Sequence, residues 1–111
     1  MANVLLETIS TMKGQLEIEI WSDDLDHAIK GHPEVTIDKV KETLKDPSRV
    51  VQSKTSSSRC LFYSILIKTS ETETLYFCVV VQVKDSGKGK MITAYDADYM
   101  KSGTELFSKE E

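Results

Sequence analysis

Thr74-Leu75-Tyr76-Phe77-Cys78-Val79-Val80-Val81-Gln82-Val83-Lys84 is the stretch on which the reading of the fold turns. It is rich in β-branched and aromatic residues, which suit a pleated, half-buried surface. Side chains alternate across a strand, so Leu75, Phe77, Val79, Val81 and Val83 share one face and Tyr76, Cys78, Val80 and Gln82 the other. The first set is uniformly apolar and defines the main core face. The second is mixed, which leaves that side of the sheet at least partly open.

Working outward, residues 60–69 read as the preceding arm of a hairpin, joined through Ser70-Glu71-Thr72. Downstream, the turn Asp85-Ser86-Gly87-Lys88-Gly89 leads into Met91-Ile92-Thr93-Ala94-Tyr95. If Ile92 and Ala94 face the core, Thr93 and Tyr95 stand on the face that carries Tyr76, Cys78 and Gln82. A one-residue slip would bury them instead, and the glycine-rich turn leaves that register open. Val50 and Val51 begin a short strand ahead of the polar loop 53–58. At the start of the chain Val4, Leu6 and Ile9, a turn at Met12-Lys13-Gly14, and the alternation of Leu16, Ile18 and Ile20 indicate a further hairpin.

Between these β regions the period changes to that of helices. Ser22 is a candidate cap, Asp23, Asp24 and Asp26 complement a helix N-terminus, and Leu25, Ala28 and Ile29 form a core-facing stripe. Gly31 and Pro33 stop this helix. A second starts near Thr36, buries Ile37, Val40 and Leu44, and ends at Asp46-Pro47. The segment 98–107 suggests a short helix broken at Gly103, and residues 108–111 a frayed tail. The expectation is one α+β domain over residues 1–111. An N-terminal hairpin and two helices would pack on a curved, mainly antiparallel sheet, followed by a short C-terminal helix.

Composition narrows the function classes. The chain has 111 residues, 14 Lys+Arg against 18 Asp+Glu, and a formal charge of -4. Such a balance argues against a broadly basic nucleic-acid coat, because phosphate affinity comes from clustered Lys and Arg. It leaves room for a small site that handles RNA. No apolar run approaches the ~20 residues of a membrane helix, and no membrane partner is expected. With no cationic leader and cleavage site at the start, and with Cys60 and Cys78 read as reduced thiols, a cytoplasmic protein is expected. Neither cysteine has ligand spacing for zinc, and no cofactor loop is present, so neither metal nor cofactor is expected. Gly87-Lys88-Gly89-Lys90 has no helix behind it and reads as a hairpin tip rather than a phosphate loop.

A few residues can carry chemistry. Histidine is the side-chain type that changes charge near neutral pH. His27 lies about 200° around the helical wheel from Leu25, which by itself describes a solvated histidine. His32, just past Gly31, suits a cap on the last helix carbonyls. Their i, i+5 spacing does not make a metal pair. Arg59 is either an edge-strand charge or a bidentate phosphate clamp. Tyr95 is an amphipathic sheet residue with its hydroxyl at the rim. Lys101 is a solvated lysine able to reach the same sheet edge.

The order of these pieces resembles a known group. Leu25-Asp26-His27-Ala28-Ile29-Lys30-Gly31-His32-Pro33-Glu34-Val35 is similar to the "HI…HPE" helix of the barnase–EndoU–colicin–RelE-like (BECR) nuclease domains of prokaryotes and phages. Arg59 and Tyr63 on one strand, Tyr76 and the valine run on the next, Ile92 to Tyr95 as "iTAY", and Lys101 to Gly103 ahead of Leu106-Phe107 follow in the same order. The likeness spans about residues 15–107. It departs at Leu25, where that helix often has an aromatic residue, and in its acidic charge. The resemblance implies metal-independent cleavage of RNA, of RelE-like toxin type, with His27, His32, Arg59, Thr93, Tyr95 and Lys101 as catalytic candidates. On this reading His27 is base or acid with Tyr95 or His32 as its partner, Arg59 holds phosphate, and Thr93 donates to a nonbridging oxygen. The implied partners are RNA and a cognate antitoxin or other protein. The alternative is a non-catalytic protein-binding module, or an inactive member, on the same fold. Substrate sequence and oligomeric state are not encoded in anything legible.

Overall fold

The computed structural model describes residues 3–12, 14–54, 58–68, 74–84, 87–101 and 103–108. The chain runs β1 (Leu5–Thr11), β2 (Leu16–Trp21), α1 (Ser22–Gly31), α2 (Ile37–Lys45), β3 (Arg49–Ser53), β4 (Arg59–Lys68), β5 (Thr74–Lys84), β6 (Lys88–Ala97) and β7 (Gly103–Ser108). All the strands form a single sheet in the order β1-β2-β6-β5-β4-β3-β7. The domain is a sheet-dominated α+β unit. The turn at 70–72, residues 55–57 of the polar loop and residues 109–111 lie outside the described residues.

Two features correct the expected architecture. The first is the segment after Asp98, which is not a helix: Gly103–Ser108 is a strand closing the β3 edge. Gly103, read as a helix breaker, is there because a Cβ at that position would run into the Gln52 carbonyl and the Val51 side chain. The unpaired N–H and C=O groups along β3 need a partner, and glycine lets another backbone come close enough to supply one. A register shift between Val50 and Val51 lets Phe107 still reach the core while Leu106 stays exposed. The second is the direction of the strands. The sheet is mixed, because β2 pairs parallel with β6 through Glu17–Lys88, Ile18–Gly89 and Glu19–Lys90. Lys88–Lys90 are thus strand residues rather than a hairpin tip.

Both helices cover one face. Leu25 and Ala28 of α1 and Val40 and Leu44 of α2 pack on Ile18, Ile20, Phe62, Phe77, Val79 and Met91, all buried. Thr36 caps α2 by accepting from the Lys39 N–H at 3.2 Å. The α1 cap is different: Ser22 Oγ accepts from the Val4 N–H instead, and Asn3 Oδ1 takes the Asp23 N–H at 3.0 Å. Ile29, expected in the core stripe, remains 37% exposed. No described helix is long and apolar enough to cross a membrane.

On the opposite face a second, smaller cluster forms from Val51, Leu61, Tyr63, Cys78 and Val80, with Tyr76, Tyr95 and Met100 packed against it. A bulge in the β5–β6 ladder, where Val80 faces Thr93 but Val81 faces Met91, fixes which β6 residues reach each side. Ile92 is the extra residue. Met91 and Ala94 enter the helix-covered core, whereas Ile92, Thr93 and Tyr95 line the other face.

Candidate functional site

The pairing of β2 with β6 is short, so beyond Lys90 the outer edge of β6 has no strand neighbour among the described residues. The segment following α1 takes that place. Its turn is closed by the Val35 N–H donating to the His32 carbonyl at 3.0 Å, and Val35 is buried. Glu34 Oε2 accepts the Asp96 N–H at 3.1 Å, satisfying an edge amide of β6. That bond, ahead of Glu34's own backbone N–H and the charges of His32 and Lys39, holds the Glu34 carboxyl below its ordinary range. The His32 ring then rests against Tyr95, with centroids 5.6 Å apart and planes tilted by 40°. His32 Nδ1 is 3.7 Å from Glu34 Oε2. The His-Pro-Glu run thus places an imidazole beside a strand residue of the open face.

That face holds a cavity of about 310 Å³, lined in part by Lys54, Arg59, Thr93, Tyr95 and Lys101. Each wall has its own support. Arg59 faces Gln82 across the β4–β5 ladder and its Nε donates to Gln82 Oε1 at 3.5 Å, while Gln82 Nε2 donates to Ser58 Oγ at 2.7 Å. Thr93 faces Val80, and Tyr95 faces Cys78. Lys101 is fixed through its backbone, whose N–H donates to Tyr63 Oη at 3.0 Å. Among the described residues no carboxylate lines this cavity, and none pairs with Lys54, Arg59 or Lys101. Three cations that have no carboxylate partner among the described residues share one concavity, an arrangement that favours an anion despite the acidic total.

Behind the cavity the Cys78 thiol packs with Tyr63 and Tyr95 in the smaller cluster. Burial pushes Cys78 up from 9.0 to about 11, against the lowering effect of the two hydroxyls. Burial, with a smaller contribution from Cys78, also pushes Tyr63 up to about 12 and raises Tyr95 further. All three groups stay protonated at neutral pH. Burial likewise raises Cys60, on the helix-covered face.

Of the residues singled out by sequence, Arg59, Thr93, Tyr95 and Lys101 line one cavity, and His32 abuts it through Tyr95. His27 is not brought to them. It is exposed on α1, whose buried Leu25 and Ala28 pack on the opposite side of the sheet. Lys54 and Glu34 received no role from sequence. Nothing local signals Lys54, which follows β3, whereas Glu34 sits inside the quoted His-Pro-Glu run. Among the described residues no His, Cys, Asp or Glu group forms a metal-binding cluster. Comparison with protein-family models, with curated proteins and with solved structures finds no match.

Proposed function

We propose that the protein is a metal-independent endoribonuclease of RelE-like type, with the cationic cavity of the open sheet face as its active site. The observation that carries this reading is the convergence of Lys54, Arg59 and Lys101, unpaired with carboxylates among the described residues, on a concavity that also holds Thr93 and Tyr95 and adjoins His32. A guanidinium and two ammonium groups suit a phosphodiester and the extra charge of its pentacoordinate transition state. In this mechanism His32 takes the proton from the 2′-hydroxyl as O2′ bonds to phosphorus. The P–O5′ bond breaks, and the Tyr95 hydroxyl protonates the leaving oxygen. Proton return from His32 through solvent regenerates both groups and leaves a 2′,3′-cyclic phosphate and a 5′-hydroxyl. Thr93 donates to a nonbridging oxygen. His27 has no part in this scheme.

The test is incubation of end-labelled RNA in EDTA with wild type, Arg59→Gln, His32→Ala and Tyr95→Phe. Cleavage is expected in wild type, with a loss of about 10²–10⁴-fold where an acid or base is removed. Equal cleavage by all four proteins, or cleavage abolished by EDTA, would sink the assignment.

A second reading, a non-catalytic protein-binding module, is favoured by one observation. Val4, Leu5 and Leu6 are exposed at or beside the outer strand β1. An apolar open edge can accept an added strand from a cognate antitoxin or other protein. Wild type that is pure, folded and unable to cleave any RNA would favour this second reading.

A further inference from the structure

A second cavity, of about 230 Å³, adjoins the cationic one, and the two share Tyr95 and Lys101 as common walls. Tyrosines from three parts of the chain line it: Tyr63 from β4, Tyr95 from β6 and Tyr99 from the segment before β7. No ring pair forms among the three. Tyr63 meets Tyr76 edge-on, Tyr95 meets His32, and Tyr99 is 62% exposed. The rings are thus set round a void rather than against one another. Asp96 and Asp98 also line this cavity, against the single cation of Lys101. Asp96 Oδ1 is 3.8 Å from Lys39 Nζ, whereas Asp98 is exposed and takes part in none of the described ion pairs.

The two sides of the shared wall therefore differ in sign. One side has three cations and no carboxylate among the described residues, and the other has aromatic rings and two carboxylates. The face of an aromatic ring attracts a cation, and rings grouped round a space suit a quaternary ammonium. A primary ammonium asks for more, because its three N–H donors each need an acceptor. Few are left here: Tyr63 Oη already accepts the Lys101 N–H at 3.0 Å, and Asp96 is shared with Lys39. Asp98 remains as a counter-charge. A methylated ammonium needs that charge and the rings, but no hydrogen bonds.

We propose that the paired cavities bind a zwitterion with a phosphate and a quaternary ammonium a short linker apart, the chemistry of phosphocholine. The phosphate lies against Lys54, Arg59 and Lys101, and the trimethylammonium head among Tyr63, Tyr95 and Tyr99 beside Asp98. This goes beyond the RNA reading and does not rest on it, since it asks for no proton transfer and no role of His32. Free phosphocholine and the headgroup of phosphatidylcholine carry the same pair of charges.

The experiment is calorimetric titration of wild type, Tyr99→Ala, Asp98→Asn and Arg59→Gln with phosphocholine, phosphoethanolamine and inorganic phosphate. Wild type is also sedimented with phosphatidylcholine and phosphatidylglycerol vesicles. All three substituted positions are exposed, so folding is expected to survive, as circular dichroism will check. Phosphocholine is expected to bind about tenfold more tightly than inorganic phosphate, because its second contact is intramolecular once the first has formed. Tyr99→Ala should weaken phosphocholine about fivefold, the value of an exposed cation–π contact, and leave inorganic phosphate unchanged. Asp98→Asn should act in the same sense, and Arg59→Gln should weaken both ligands. Inorganic phosphate binding as tightly as phosphocholine overturns the zwitterion site. Phosphoethanolamine matching phosphocholine overturns the methylated head. With phosphocholine bound as expected, sedimentation with phosphatidylcholine vesicles assigns the membrane headgroup as its source, and lack of sedimentation assigns the free compound. Equal sedimentation with phosphatidylglycerol overturns selection of the head. RNA cleavage without phosphocholine binding removes this inference and leaves the RNA reading, and binding without cleavage does the reverse.

Discussion

The two faces of the sheet are made by the same strands, residue by alternate residue, yet they serve different ends. On β5, Phe77, Val79 and Val81 enter the core beneath α1 and α2, while Cys78 and Val80 enter the smaller cluster on the other side. The first face is sealed by helices and filled with aliphatic and aromatic carbon. The second has Tyr63 and Cys78 fully buried but Arg59 and Lys101 exposed around them. Burying a large apolar side chain contributes about 1.5–3 kcal/mol, so the sealed face carries the stability. The other can then hold uncompensated charge and solvent-reaching hydroxyls, which cost stability and enable chemistry.

The largest break in this comparison should come from the sealed face. Phe77→Ala removes a ring that is fully buried and lies 5.2 Å below Lys39 Nζ. A loss of about 3–5 kcal/mol is expected, read by urea unfolding. Val80→Ala, three residues along the same strand on the other face, should cost clearly less. Equal losses would mean that both faces bear load alike.

Next comes alkali, which acts on the open face from within. The thiol of Cys78 moves from 9.0 to about 11 on folding, and the hydroxyl of Tyr63 from 10.0 to about 12. Each is neutral when protonated and its folded value is the higher one. The stability linked to each is therefore complete below its unfolded value and disappears as pH rises through the folded value. Unfolding free energy should fall between about pH 9 and 12, and a two-unit shift is worth on the order of 2 kcal/mol. Cys78→Ala should flatten the lower part of that fall, between pH 9 and 11. An unchanged slope in the variant would show that folding does not raise the pKa of the thiol.

How much of this was legible in the sequence follows from where the information lies. The division of β5 into Phe77-Val79-Val81 and Tyr76-Cys78-Val80 is local alternation, readable without a structure. So are the stripe of α2 and its start near Thr36. The strand at Gly103–Ser108 was not, because Thr104-Glu105-Leu106-Phe107 contains no clean alternation and its register is broken against β3. Only the need of β3 for a partner makes it a strand, and that need is 50 residues away in the chain. The parallel β2–β6 contact was hidden for the same reason. At the candidate site, the pairing of Thr93 and Tyr95 was readable as one of two registers, and the bulge at Ile92 decides between them. The contact of His32 with Tyr95 depends on the short β2–β6 ladder leaving the β6 edge free. Periodicity carries no trace of such a vacancy.

A smaller effect on stability should come from Tyr63→Phe, which keeps the ring and removes the hydroxyl. The Lys101 N–H loses its acceptor, so a loss of about 1 kcal/mol is expected in thermal or urea unfolding. If the RNA reading holds, cleavage should fall by more than that stability change explains, because the released backbone no longer fixes Lys101 at the cavity. A variant with wild-type cleavage and lowered stability would separate Tyr63 from the site and leave it a structural residue of the smaller cluster.

Arg59→Gln should disturb stability least, within ~0.5 kcal/mol, since the side chain is exposed and its described contact is a 3.5 Å bond to Gln82. Its effect should appear in RNA binding alone. Loss of one phosphate contact weakens binding across sequences and reduces the slope of log affinity against log salt by about 1. The variant thus isolates charge from fold: stability unchanged, affinity lower, salt dependence shallower. If affinity drops but the slope stays the same, Arg59 works through shape or through Gln82 rather than as a phosphate clamp. If neither changes, the open face is not where RNA binds. The contrast between its faces would then reduce to one between a covered and an uncovered side of the same core.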